Sequence, residues 1–428
     1  MYGLVSAGSA GAAARGRLHG QRTSGAIRRS GAGPVGAGLV DGGHGRRRVA
    51  RRPSGHGRRR ARGDDRTGSV LSTGPAPDDE PGLPDGGPGP PTGTIGVDAR
   101  RVATWLRESL HPAVSSAAVS KLPGGHSSGV WRVDAVIDGD VRPMILKAPE
   151  QPSVVYQRDA CREARILAAV RGMGAPVPDV LAVDTGKATG RRCFVMEHVE
   201  GHGLADSSLA GPHEDTWLQG MGPEARRAIW DSFHDALAAL HSVDARRVPD
   251  ASHGPRGAVD VLDYWRAALL DAAPAHSVPR QLSALDWLRD NAPPGADDAP
   301  AVCMGDARIA NCLIDGSEVR ALVDFEVAYV GNPAADLAYS IFFDGLHRAG
   351  ARQPLDGLPS AAETWNRWSR ATGRPVDNPA YWTAFGVTIL CVTATRAMIQ
   401  WGLADQGIES ANPMVARWEA CVERATHA

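Results

Sequence analysis

The sequence predicts an α+β protein of two lobes behind a disordered tail: a small antiparallel β-sheet lobe, then a larger and mostly helical one. Three observations carry that expectation. Apolar residues alternate with period two in short runs between about residues 128 and 199. A helical period takes over from about residue 214, broken only by a strand-rich stretch at 301–329. The first 95 residues show neither pattern. The expected divisions are therefore a tail over 1–95, a sheet lobe over 96–199 and a helical lobe over 200–428.

The tail is Gly, Arg, Ala and Pro with almost no branched apolar or aromatic residues. Residues 1–66 hold 15 arginines, no lysine and three acids, a net +12. Such a segment cannot bury enough apolar surface to offset its chain entropy. DDEPGLPDGGPGPPTG continues it as a Pro/Gly linker. Three readings stand: a basic arm for nucleic acid or an anionic surface, a transit peptide, or a disordered tail ahead of a start near Val70. The last is the reading adopted. The other residues include 32 basic and 45 acidic side chains, so the globular part is acidic and no nucleic-acid surface is expected there. The six cysteines form no C-x-x-C pair and no zinc spacing with histidine, which fits reduced core thiols in a cytoplasmic protein. The most apolar run, AFGVTILCVTAT at 384–395, ends at Arg396 and is expected to be too short for a membrane span. No secretory signal is expected at the N-terminus.

VDARRVATWLRESL reads as an amphipathic helix with Val102, Trp105, Leu106 and Leu110 on one face. VWRVDAVID and VRPMILKAP alternate as strands, and the DGD between them marks a hairpin. ACREARILAAVRGMG is a helix stopped at Gly172 or Gly174, followed by strands at VPDVLAVDT and CFVMEHV. Helices follow at EARRAIWDSFHDALAALHSV, VDVLDYWRAALLDAA and SALDWLRDNA, and after residue 329 at AADLAYSIFF, AAETWNRWSRAT and YWTAFGVTILCVTATRAMIQWG.

The chemistry concentrates in MGDARIANCLID and ALVDFE. Asp306 precedes Asn311 by five positions, and Asp324 follows thirteen beyond. Transfer of a phosphoryl group needs an acceptor oxygen positioned and phosphate charge balanced. A carboxylate suits the first task, and an amide and a second carboxylate suit a hard Mg²⁺ ion. The same order and spacing occur in the protein-kinase signature, where a catalytic-loop Asp precedes an Asn by five and a D-F-G Asp follows.

GDARIANCLID followed by VDFEVAYVGNPAADLAY resembles the aminoglycoside phosphotransferase and choline-kinase-like superfamily, most of all the phosphotransferase enzyme branch related to domains associated with acyl-CoA dehydrogenases. The resemblance runs from about 118 to 400 and implies a protein-kinase-like fold, an ATP and Mg²⁺ requirement and a small-molecule hydroxyl acceptor. It makes Asp306 the catalytic residue and Asn311 and Asp324 the metal ligands. In LPGGHSSGVWRVD, Gly124, Gly125, Gly129, Ser127 and Ser128 resemble the turn over the nucleotide phosphates. Lys147 and Glu163 resemble the strand-lysine and helix-glutamate pair on the α- and β-phosphates, with Glu150 as a rival for the second place. CFVMEHVEG resembles the inter-lobe hinge, where adenine meets backbone near Glu197 and Val199. Tyr264 and Trp265 lie where substrate clefts form, or simply pack a helix. His241 is expected to be a structural helix-end histidine. Asp336 is expected to cap a helix and hold the catalytic segments. Glu326 reaches a metal-bound water or is a surface glutamate at a strand end. Met304 stands where the family usually has histidine and fills space without donating a hydrogen bond. Two readings stay open: an ATP-dependent small-molecule kinase, and a nucleotide-binding relative without turnover.

Overall fold

Asp98 starts the first helix, α1 (Ala99–Ser109), by accepting the Arg100 N–H at 2.9 Å. Three strands follow, β1 (Val114–Lys121), β2 (Ser128–Ile137) and β3 (Asp140–Pro149). Asp138 and Gly139 join the last two with φ of 54° and 88°, the left-handed pair that a two-residue hairpin needs. Next come helix α2 (Ala160–Arg171), capped by Asp159, and strands β4 (Val180–Thr185) and β5 (Arg192–Glu197). The antiparallel sheet has the order β1-β2-β3-β5-β4. The computed structural model describes residues 97–122, 128–149, 153–204, 210–248, 255–403 and 407–427. The Arg-rich tail and the turn with Gly124, Gly125 and Ser127 lie outside them.

The helical lobe opens with β6 (His202–Gly203), α3 (Thr216–Gln219), α4 (Pro223–His241), α5 (Gly257–Ala272) and α6 (Pro279–Asp290). The strand-rich stretch is four short strands: β7 (Ala301–Cys303), β8 (Cys312–Asp315), β9 (Glu318–Leu322) and β10 (Tyr329–Gly331). They form two small sheets, β10-β7 and β6-β8-β9, that frame the catalytic segments. Helices α7 (Ala334–Gly350), α8 (Ala361–Thr372), α9 (Pro379–Gln400), α10 (Ile408–Ala411) and α11 (Pro413–Thr426) complete the chain.

One feature departs from the sequence expectation. Helix α9, 22 residues, is long and apolar enough to cross a bilayer by length and composition, although 78% of its most apolar window is buried inside the protein. The reason is packing on every side, by α5, α6, α7 and α11, which makes a core helix apolar all round. Arg396, where the most apolar run ends, lies within α9 as the expected helix required, and its guanidinium donates to the carbonyls of Ala268 (2.6 Å) and Val154 (2.7 Å). At Gly386 an added Cβ would lie 2.7 Å from the Ala335 carbonyl oxygen, so α7 and α9 touch almost backbone to backbone. Trp265 and Trp418 fill the core around these helices, whereas Met304, Phe325, Phe194 and Ile166 share another core with α2 and α4. The helix carrying Glu163 is therefore packed against the catalytic segments as well as against its own sheet.

Candidate active site

Strand alternation builds the first half of the site. Met144, Leu146 and Ala148 of β3 face the core under α1, which turns Lys147 to the opposite face. There Lys147 is buried, 4% exposed, with its Nζ 2.6 Å from Glu163 Oε1 and 2.6 Å from Asp324 Oδ1. Burial alone would depress its pKa; the Asp324 and Glu163 carboxylates outweigh it and hold the ammonium well above the usual lysine range. Asp324 answers in kind: burial would raise its pKa, and the Lys147 charge and hydrogen bond pull it below the usual carboxylate range. Glu163 Oε1 also accepts the Phe325 N–H at 3.1 Å, so one carboxylate orders both the lysine and the segment after Asp324. Glu163 is thus a glutamate on Lys147; Glu150, its expected rival, lies outside the described residues.

The second half is the loop after β7. Gly305 has φ +80°, and a Cβ there would lie 2.5 Å from the Val327 carbonyl oxygen, so only glycine fits without displacing backbone. Asp306 follows, its side chain 20% exposed. Asn311 Nδ2 donates to the Asp306 carbonyl at 2.8 Å and to its Oδ2 at 3.0 Å. With the amide nitrogen committed, the Asn311 oxygen is the group left to meet a cation. Tyr339 O–H donates to Asp306 Oδ1 at 2.6 Å, and Arg308 Nε lies 3.0 Å from the same oxygen. Burial pushes the Asp306 carboxyl up to about 7; Tyr339 restrains the rise, and the negative charge of Asp324 adds to it.

Asp336 departs from its expected role as a cap. The residue at the cap of α7 is Pro333, which makes no side-chain cap bond, and Asp336 lies inside the first turn. Its carboxylate is turned to the catalytic loop, taking the Met304 N–H at 2.6 Å and the Gly305 N–H at 2.9 Å. Behind it, Trp368 Nε1 donates to His241 Nδ1 at 3.0 Å. An indole N–H only donates, so the proton of His241 sits on Nε2, 3.3 Å from Asp336 Oδ2. His241 is thus fully buried and holds the residue that holds the loop. Met304 is itself fully buried and fills the core below.

The remaining expected residues divide. Glu326 is not a surface glutamate: its side chain is 9% exposed and pairs with buried Arg158 at 2.9 Å. Burial, then the Asp324 charge, raises its pKa, with Arg158 opposing. Glu197 ends β5, and its N–H is engaged with the Asp179 carbonyl at 2.8 Å; Val199 is half-buried two residues on. Ser128 begins β2 opposite Pro149. Gly129 serves a neighbour first, since a Cβ would strike the Trp131 ring at 1.9 Å. Trp265 is core, whereas Tyr264 lines a cavity of about 340 Å³ with Asp260, Asp263, Arg162, Glu326 and Tyr329. Tyr339, Arg308, Arg158 and Trp368 were absent from the expected set. Tyr339 had a signal, lying one helical turn past Asp336 on the same face.

The sequence model of the phosphotransferase enzyme family matches residues 118–372. Acyl-CoA dehydrogenase family member 11 of Gallus gallus is 31% identical over 205 residues, 47% of this chain and 25% of that protein. Acyl-CoA dehydrogenase family member 10 of Mus musculus is 28% identical over 243 residues, 52% of this chain and 21% of that one. The chain thus spans about a quarter of the length of these curated relatives. A crystal structure from Ralstonia eutropha JMP134, provisionally assigned as an aminoglycoside phosphotransferase, superposes with a TM-score of 0.59 at 22% identity, over 77% of this chain and 99% of that one. At that identity the likeness speaks for the fold. The family match covers more than half of the chain and encloses the whole cleft just described, so this chain belongs to the phosphotransferase enzyme family, with its protein-kinase-like fold and kinase-like phosphotransferase chemistry.

Proposed function

We propose that the protein is an ATP-dependent kinase acting on a hydroxyl group of a small molecule. The observation that carries the reading is the convergence of Asp306, Asn311 and Asp324 beside a lysine clamped by Glu163. Among the described residues no three His, Cys, Asp or Glu side chains form a metal cage. The donors present are one amide oxygen and one carboxylate, which suits a Mg²⁺ that keeps water and phosphate oxygens as its other ligands. Asn311 and Asp324 would hold that ion. When bound, the magnesium–nucleotide complex supplies the phosphoryl group and screens its charge.

The chain's own residues do the rest. Asp306 faces the acceptor hydroxyl, orients it and takes its proton. Lys147, held by Glu163, meets the phosphates with a fixed positive charge. Val199 offers adenine a backbone edge, since the Glu197 N–H is already engaged. The acceptor enters by the cavity beside Tyr264 and Glu326. Turnover is favoured over nucleotide binding alone by the way the loop is held: its N–H groups rest on Asp336, so an imidazole at position 304 is not required for loop order.

Replacement Asp306→Ala tests the reading. With MgATP and a panel of hydroxyl acceptors, phosphate transfer falls by about 10²-fold or more, while ATP affinity measured by calorimetry stays nearly intact. A variant that transfers phosphate at the wild-type rate removes Asp306 from its role. Binding of MgATP by the wild type with no transfer to any acceptor or to water points instead to a binding protein.

A further inference from the structure

Asp306 is gripped by residues of its own loop and by a side chain from outside it. Asn311 and Arg308 belong to the loop, and Tyr339 comes from α7. We propose that Tyr339 is a positioning residue for the transfer step, its phenol holding the Asp306 carboxylate in the rotamer that meets the acceptor. The inference rests on the phosphotransferase reading above.

Three features argue for it. The phenol is fixed before any ligand arrives: Tyr339 is 3% exposed, its ring packs at a tilt against Phe343 with centroids 4.9 Å apart, and α9 leaves it no room at Gly386, whose added Cβ would lie 3.1 Å from Tyr339 Cβ. The bond is short, 2.6 Å, as expected when a hydroxyl donates to a carboxylate away from bulk water. It also comes from the buried side, so the exposed fifth of the Asp306 side chain is left to face the cleft. The same helix supports the loop at two further points. One turn earlier, Asp336 takes the loop N–H groups, and one turn later the Phe343 ring lies 5.5 Å from the Arg308 guanidinium carbon. Backbone, carboxylate and arginine of one loop are thus set by successive turns of α7. A tyrosine there merely to fill the core would be replaced by phenylalanine without consequence.

The test uses the full chain, MgATP with water and with the acceptor panel, and four proteins: wild type, Tyr339→Phe, Asp306→Ala and the double variant. Tyr339→Phe keeps the ring and removes one hydrogen bond to a charged group. It lowers kcat by about ten- to a hundredfold with the KM for MgATP within about twofold, and it causes no further loss in the Asp306→Ala background. A wild-type rate for Tyr339→Phe, an equal loss in both backgrounds, or a fall carried by KM would overturn the positioning role alone. Phosphate release that is absent in the wild type, or equal in wild type and Asp306→Ala, would instead remove the phosphotransferase reading and this inference with it.

Discussion

On the Lys147 side of the cleft, the lysine is 4% exposed and bonds two carboxylates, one of which also holds the backbone after Asp324. On the side facing α5, a cavity of about 340 Å³ is lined by carboxylates, one arginine and two tyrosines carried on different elements. Under the proposed function the contrast follows from what each side would handle. Phosphate is the same in every nucleotide, so it is met by fixed charges whose desolvation is offset by mutual pairing. An acceptor differs from one enzyme to the next, so it is met by shape and by groups that tolerate exchange.

Breaking the nucleotide side gives the largest effect after loss of Asp306. Lys147→Met leaves Glu163 buried without its cation. Stability falls by about 3–5 kcal/mol in urea unfolding, and kcat/KM falls by about 10²–10³-fold. A variant that unfolds at the wild-type urea midpoint would show that the buried charges are not interlocked. Tyr264→Phe probes the other side. It removes the bond from the Tyr264 hydroxyl to the Tyr156 carbonyl, 2.5 Å, at a cost of about 1 kcal/mol. The expected signature is a rise in KM for the acceptor with a smaller change in ATP affinity; an effect confined to ATP would erase the division between the two sides. Glu363→Gln lies outside both and acts as the control. Glu363 completes a capping box with Ser360 at the start of α8, and those bonds hold its carboxyl down to about 2. Its small stabilising effect is therefore present above the ordinary glutamate range near pH 4.5 and is lost as pH falls toward 2. Melting temperatures of variant and wild type converge over that window, with phosphate transfer unchanged at neutral pH.

How much was legible divides along similar lines. Lys147 in an apolar strand and Asp306, Asn311 and Asp324 in short order are polar residues in costly places, and such residues announce a site. Asp336 was legible as the residue that holds the catalytic segments, whereas its expected second role as the cap was not met, because it lies inside the first turn and its carboxylate is spent on the loop. Tyr339 meets Asp306 from 33 positions away, and Trp368 meets His241 from 127, separations at which no local period operates. Strand β1 was faint because VSSAAVSK is an edge strand with one fully buried residue, Val114. Helix α11 carried a clear signal in Asn412-Pro413, a cap followed by a first-turn proline, that the periodicity reading passed over.

The stretch between Lys147 and Glu163 is fastened to the helical lobe. Arg396 of α9 takes the Val154 carbonyl, Tyr264 of α5 takes that of Tyr156, and Arg158 pairs with Glu326. Variation in α5 or α9 therefore also reaches the segment that leads from the lysine to α2. Under the proposed function, a lineage that trades one acceptor for another by altering those helices would retune its grip on nucleotide in the same step. Such a scaffold diversifies by paired changes, one on each side, more readily than by single ones.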